Sequence, residues 1–103
     1  MIKVSVMYPN GPGSSFDLDY YCRVHMPMVQ QRLGAPLLRI AVEHGLAGAT
    51  PGAPPPYLAF GHLYFDSVEA FQAAFGPNAE AIMADVPHYT NAAPLIQISE
   101  VRL

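Results

Sequence analysis

His25 is the residue best able to do chemistry unaided, because an imidazole gives and takes protons near neutral pH without a cofactor. It lies in the stretch DLDYYCRVHMPMVQQRLG, Asp17 to Gly34, whose apolar residues recur at helical spacing. At about 3.6 residues per turn, Leu18, Tyr21, Cys22, His25, Val29 and Leu33 share one side, and Asp19, Arg23, Gln30 and Gln31 fall largely on the other. His25 is therefore expected to face the core about midway along the helix. Pro27 follows two residues later. A proline inside a helix removes one backbone bond and crowds the carbonyl four residues earlier, at a cost of ~3 kcal/mol. Here that carbonyl is Arg23's, and Met26 is pushed away from helical geometry. The helix should bend or loosen at Met26–Pro27. A bend there opens a gap between helix and sheet, lined by Leu, Tyr, Phe and Met with one titratable group reaching in, the usual form of a small-ligand pocket. The plainer alternative is a core histidine satisfied by backbone or tyrosine, a tolerated kink, and Tyr20 and Tyr21 as packing residues.

A second polar cluster is ADVPHYTN. Asp85 and His88 are three residues apart across the end of a helix, followed by Tyr89, Thr90 and Asn91. A carboxylate beside a histidine fixes its tautomer and raises its basicity. The same residue types are also ordinary helix-exit and turn formers. We expect this segment to reach His25 directly or through one water. His25 is then the candidate catalytic group, and Tyr21, Phe60, Asp85, His88, Tyr89 and Asn91 are the candidate substrate-contacting residues.

Other chemistries lack their residues. His25, His44, His62 and His88 are spread one per element, with no i, i+4 pair and no C-x-x-C, so no metal is expected. There is no G-x-S-x-G. Cys22 is expected to behave as a small core hydrophobe. NGPGSS lacks the lysine of a phosphate-cradling loop. No cofactor is called for.

The elements that must hold these groups follow from patterning. MIKVSVMY alternates as a strand, with Ile2, Val4, Val6 and Tyr8 on one face. PNGPGSS is a loop, and Asp17 is placed to cap the helix starting at Leu18. APLLRIAVEHG and YLAFGHLYF read as strands, separated by the Gly/Ala/Pro-rich segment from Leu46 to Pro56, which is expected to be irregular, mobile and near the pocket mouth. DSVEAFQAAF opens with Asp66 and has Glu69 three residues on, a capping-box spacing. It stops at Gly76–Pro77. NAEAIMADV is a short helix stopped by Pro87, and PLIQISEVRL is the last strand. The order β-α-β-β-α-β is the ferredoxin-like pattern. That is an α+β fold: an antiparallel sheet covered on one face by two helices. Both parities of the third strand are apolar, Leu58, Phe60 and Tyr64 against Tyr57, Leu63 and Phe65. A sheet wet on one side should alternate, so the second face is expected to pack on a partner.

Composition points the same way. A chain of 103 residues allows one domain, 1–103. Its charged fraction is 13%, against the ~25% usual for soluble domains, so part of the surface is expected to be buried in a homodimer. The net charge is −3, with five Lys and Arg scattered singly, which argues against nucleic acid as a partner. One cysteine permits no internal disulfide. No leader opens the chain and no apolar run approaches the ~18 residues of a membrane span, so we expect a cytoplasmic protein with no membrane contact.

MIKVSVMYPN, FDLDYYCRVHMPMV and ADVPHYTNAAP together resemble the EthD family, named for ethyl tert-butyl ether degradation. The most specific part is the tyrosine pair followed by H-x-P: Tyr20, Tyr21, His25 and Pro27. PPPYLAFGHLYFDS fits as well. The resemblance covers essentially the whole chain. It implies a dimeric α/β barrel whose sheets pack together, with helices outside and a pocket between helices and sheet. It further implies an accessory role in oxidative breakdown of small organic compounds, alongside a cytochrome monooxygenase system. Similar barrels include cofactor-free monooxygenases, lactone isomerases and haem-handling enzymes, and fungal relatives are linked to dehydration or decarboxylation of aromatic polyketides. The chain departs from the family's approximate Asp-x-Pro-Asn-Phe-Thr by carrying His88 and Tyr89, a change expected to alter substrate or chemistry if the segment lines the pocket.

The leading expectation is a small homodimer acting on a small hydrophobic oxygenated compound in a catabolic pathway, with His25 as general acid/base. The rival is a binding or carrier protein accessory to an oxygenase. A haem or metal protein is a third reading, which a colourless, metal-free preparation would oppose.

Overall fold

The computed structural model describes residues 1–103. Its strands are β1 (Ile2–Pro9), β2 (Arg39–His44), β3 (Tyr57–Phe65) and β4 (Leu95–Glu100). They form one antiparallel sheet in the order β2-β3-β1-β4. The first crossover carries α1 (Leu18–Tyr20), a π-helical turn (Tyr21–His25) and α2 (Met26–Leu33). The second carries α3 (Val68–Phe75), a 3-10 turn (Gly76–Asn78), α4 (Ala79–Ala84) and a further 3-10 turn (Val86–His88). The fold is the ferredoxin-like α+β arrangement. No helix is long and apolar enough to cross a membrane.

Strand register decides the faces, since residues opposite one another point the same way. Val4 pairs with Leu63, Tyr8 with Ala59 and Ile2 with Phe65. These residues build the core with Met26, Val29, Leu33, Phe71 and Ile82 from the helices. On the other face Met7 pairs with Phe60, Ser5 with His62 and Lys3 with Tyr64. That face is more polar than the doubly apolar reading of β3 implies. Ser5 Oγ lies 2.9 Å from His62 Nδ1 and Glu43 Oε1 lies 3.1 Å from His62 Nε2. Arg39 stands over the Tyr64 ring at 4.2 Å. Apolar surface persists beside this polar stripe at Met7, Phe60 and exposed Leu95, while Ile96 and Ile98, also exposed, pair with Val6 and Val4 on the helix side.

The broken helix has a specific form. Asp17 caps α1, its carboxylate accepting from the Tyr20 N–H at 3.0 Å. The Met26 N–H then bonds the carbonyl of Tyr21, five residues back, which is the π-helical bond. Pro27, with no N–H to give, is the second residue of the fresh α segment, where a missing donor costs nothing. The interruption lies one turn before the proline. A π turn rotates less per residue than an α turn, so the inward set becomes Tyr21, His25, Met26, Val29 and Leu33. Cys22, expected in the core on uniform α spacing, is exposed.

Two further expectations shift. The cap of α3 is Ser67, whose Oγ accepts from the Ala70 N–H at 3.1 Å, rather than Asp66. Pro87 lies inside the 3-10 turn, and α4 has already ended at Ala84. The segment from Leu46 to Pro56 is irregular, as expected. It is tied down by Asn10, whose N–H and side chain bond the Pro56 and Pro55 carbonyls at 2.9 Å each. None of its residues lines the cavity below the first helix, so it does not cover the mouth.

Candidate functional site

The chain after α4 is fastened to the loop before α1, and this fastening builds the site. Asp17 N–H bonds the Tyr89 carbonyl at 2.7 Å, and Thr90 Oγ1 donates to the Ser15 carbonyl at 2.7 Å. Asn91 accepts from the Ser15 N–H and donates to the Gly13 carbonyl, both at 2.9 Å. Asp85 and Tyr89 are thereby laid across the π turn. His25 Nδ1 is 2.9 Å from Asp85 Oδ2. The other carboxylate oxygen accepts from the Tyr20 hydroxyl at 2.8 Å and lies 2.9 Å from His88 Nδ1. On the far side of the imidazole, Nε2 is 3.5 Å from the Tyr89 hydroxyl, which is 2.6 Å from the Tyr8 hydroxyl. Tyr21 stacks on the His25 ring, with centroids 5.3 Å apart and planes at 15°.

The proton positions follow from these partners. An ionised carboxylate accepts only, so Nδ1 of His25 carries the hydrogen and Nε2 is bare when the ring is neutral. Burial lowers the His25 pKa below its usual 6.5, and Asp85 opposes this only in part. Burial also pushes Asp85 up. Hydrogen bonds from His88, His25 and Tyr20 outweigh it and hold the carboxyl below its usual range. The hydrogen bond it gives Asp85 raises the Tyr20 phenol, and burial raises those of Tyr8, Tyr21 and Tyr89. All four phenols are therefore neutral donors at pH 7.

Both depressed groups have the same consequence for stability. Below pH ~6.5 the unfolded chain takes up a proton at His25 that the folded chain refuses, so stability falls as pH drops toward the folded pKa. Asp85's contribution is full above its unfolded value of 3.8 and is lost as pH falls through its lower folded pKa. The thermal midpoint is expected to decline from pH 7 to 5, then again below pH ~4. His25→Gln should flatten the first decline and leave the second. A first decline of unchanged slope in that variant would contradict the assignment.

His25, Tyr21 and Tyr89 line one cavity of about 30 Å³ between helix and sheet, together with Tyr8, Gly61 and Leu63. Phe75, Met83, Pro94 and Ile96 also line it, and exposed Met83 and Ile96 mark its outer side. Of the expected contact residues, Tyr21 and Tyr89 reach the cavity. Asp85 supports His25 from behind, and exposed His88 pairs with Asp85 and stands edge-on to Tyr20, outside the cavity. Asn91 is a loop clamp. Phe60 is misassigned: it lies on the opposite sheet face, stacked on His62 at 5.8 Å, because its parity in β3 is opposite to that of Gly61 and Leu63. Two participants escaped the sequence reading, Tyr8 and the Asp85-bound hydroxyl of Tyr20. The alternation of β1 already placed Tyr8 on the face His25 points to.

The EthD domain family matches residues 14–93, a span holding the tyrosine pair, His25, Pro27 and Asp85 to Asn91. The chain belongs to the EthD family. It is 34% identical over 94 residues to an uncharacterized 11.0 kDa protein from the thcB-thcC intergenic region of Rhodococcus erythropolis, covering 88% of this chain and 85% of that one. The crystal structure of an EthD-like protein from Ralstonia eutropha JMP134 superposes with a TM-score of 0.95 at 48% identity, covering 99% of this chain and 92% of that chain. An EthD-family protein of Bacillus halodurans has a TM-score of 0.72 at 19% identity over 99% of both chains, a likeness of fold.

Proposed function

We propose that this EthD-family protein acts on a small hydrophobic oxygenated compound by cofactor-free acid/base chemistry at His25, as a homodimer joined through the uncovered sheet face. One observation carries the reading: Asp85 holds the hydrogen on Nδ1, so a bare Nε2 faces an apolar cavity beside a phenol. A base needs that free lone pair, and a depressed pKa keeps it free at neutral pH. The cavity admits about two water-sized groups, far below the roughly 300 Å³ of a site that encloses a drug-sized ligand. The reacting end enters, and the rest of the compound lies over Met83, Pro94 and Ile96. The Bacillus neighbour is named an ethyl tert-butyl ether (EthD) family protein, which agrees with a catabolic setting. The almost wholly apolar lining favours carriage without chemistry as the second reading.

The test is a panel of apolar ethers, alcohols, esters, lactones and ketones offered without added cofactor, with binding followed by ligand-observed NMR and product by mass spectrometry. Turnover of at least one compound, falling on the acid side as His25 protonates, is the expected result. Binding without turnover at any pH would leave the carrier. Dimerisation is checked separately by sedimentation at micromolar concentration, where a dimer's mass is expected and a monomer's would remove the shared sheet face from the proposal.

A further inference from the structure

The cavity sets a bare base against a hydrogen-bond donor. Tyr89's hydroxyl lies 3.5 Å from His25 Nε2 and 2.6 Å from the hydroxyl of Tyr8. Tyr8 accepts from the Tyr21 hydroxyl and can donate to Tyr89, whose own proton then points to Nε2 across 3.5 Å, a long bond that a ligand oxygen can replace. A donor and a base so close suit a group that loses a proton from one atom while charge builds on an oxygen two bonds away. Ethers and alcohols offer no such pair, since their C–H protons are too weakly acidic for imidazole. A carbonyl with a neighbouring C–H does.

Building on the reading of His25 as base, we propose that the substrate is an apolar compound with an enolisable carbonyl, Tyr89 backed by Tyr8 holding its oxygen and His25 Nε2 removing the adjacent proton. In the step the C–H bond breaks and its electron pair becomes the C=C bond. The carbonyl π pair moves to oxygen, giving an enolate that accepts from Tyr89. The proton rests on Nε2 as an imidazolium, whose charge faces the Asp85 carboxylate. Returning it to carbon, at the same or a conjugated position, completes a proton-transfer cycle without oxidant or reductant. Preorganised donors act best where water is excluded, and His25, Tyr8 and Tyr89 are each less than 5% exposed. Only the carbonyl end fits the 30 Å³ cavity, so the apolar body sits at the rim by Met83 and Ile96.

Acetophenone in D2O is the first probe, its methyl protons followed by NMR. Wild-type protein is expected to speed their exchange above the buffer rate. His25→Gln should abolish the gain. Tyr89→Phe should cut it by ~10²- to 10³-fold, the usual loss for one oxyanion donor, and Tyr8→Phe by less. The second probe, 4-nitrophenol, stands in for the enolate and needs no variant. Its affinity for wild-type protein should rise as the ligand ionises, and a preference for its neutral form would overturn the oxyanion assignment. Exchange lost in His25→Gln yet unchanged in both Phe variants would also overturn it while sparing the base. Turnover of another class in the panel, with ketone exchange at the buffer rate, would overturn the substrate class alone. No turnover of any compound would remove both the base and the substrate class and leave carriage.

Discussion

His25→Gln is expected to lower proton-transfer turnover by ~10²- to 10⁴-fold, the usual contribution of a positioned general base, while leaving the fold and ligand binding in place. Glutamine is nearly as long as histidine, and its amide N–H₂ can still donate to Asp85 Oδ2, so the half-buried carboxylate keeps a partner. What it lacks is a basic lone pair at the position of Nε2. Asp85→Asn provides the companion result. The orientation of its amide that keeps an acceptor for Tyr20 turns the N–H₂ toward His25 Nδ1, which must then accept. The hydrogen moves to Nε2 and the base is blocked, although every ring atom stays where it was. Such a wrong-tautomer effect can match the loss of the base itself. Nitrogen-15 NMR of His25 reads the tautomer directly. Turnover at wild-type rates in His25→Gln, or an unshifted tautomer in Asp85→Asn with activity lost, would break this chain of reasoning.

Much of this arrangement was legible because local and global signals agree. The apolar alternation of β1, the nearly continuous apolar run of β3, the Asp17 cap and the turn-rich loops each specify their element by short-range chemistry. The ordering of elements then restricts the topology to few choices. The approach of Asp85 to His25 also followed from topology, since the exit of the second crossover must turn back over the first helix. Failures came where a pattern assumes ideal periodicity. One π turn was enough to expel Cys22 and admit Met26, and spacing arithmetic has no access to which carbonyl a given N–H selects. Phe60 failed for a related reason. In a strand apolar on both sides, parity alone leaves open which set faces the helices, and the answer came from the register with β1.

Gly61→Ala is expected to destabilise the fold by roughly 2 kcal/mol, within the usual range for overpacking a core, and to lower the thermal midpoint by about 8–16 °C for a domain of this size. Gly61 pairs with Val6 and Val42 in the middle of the sheet. A methyl there would overlap the Tyr21 hydroxyl and sit 3.2 Å from the ring carbon that bears it. A surface tyrosine would swing away at little cost. Tyr21 is 1% exposed, with Phe16, Tyr8 and Tyr89 against its ring at centroid distances of 5.1, 5.6 and 4.9 Å. Moving it disturbs all three and tilts the surface on which His25 stacks. The absent side chain is thus the space that takes the Tyr21 hydroxyl and lets its ring stack on the imidazole. Tyr21→Phe in the alanine background removes the overlapping oxygen and should restore part of the loss, so the two substitutions are expected to couple by at least ~0.5 kcal/mol in a double-mutant cycle. Additive effects, or an alanine variant that melts with wild type, would mean the sheet yields at Gly61 and the phenol does not depend on it.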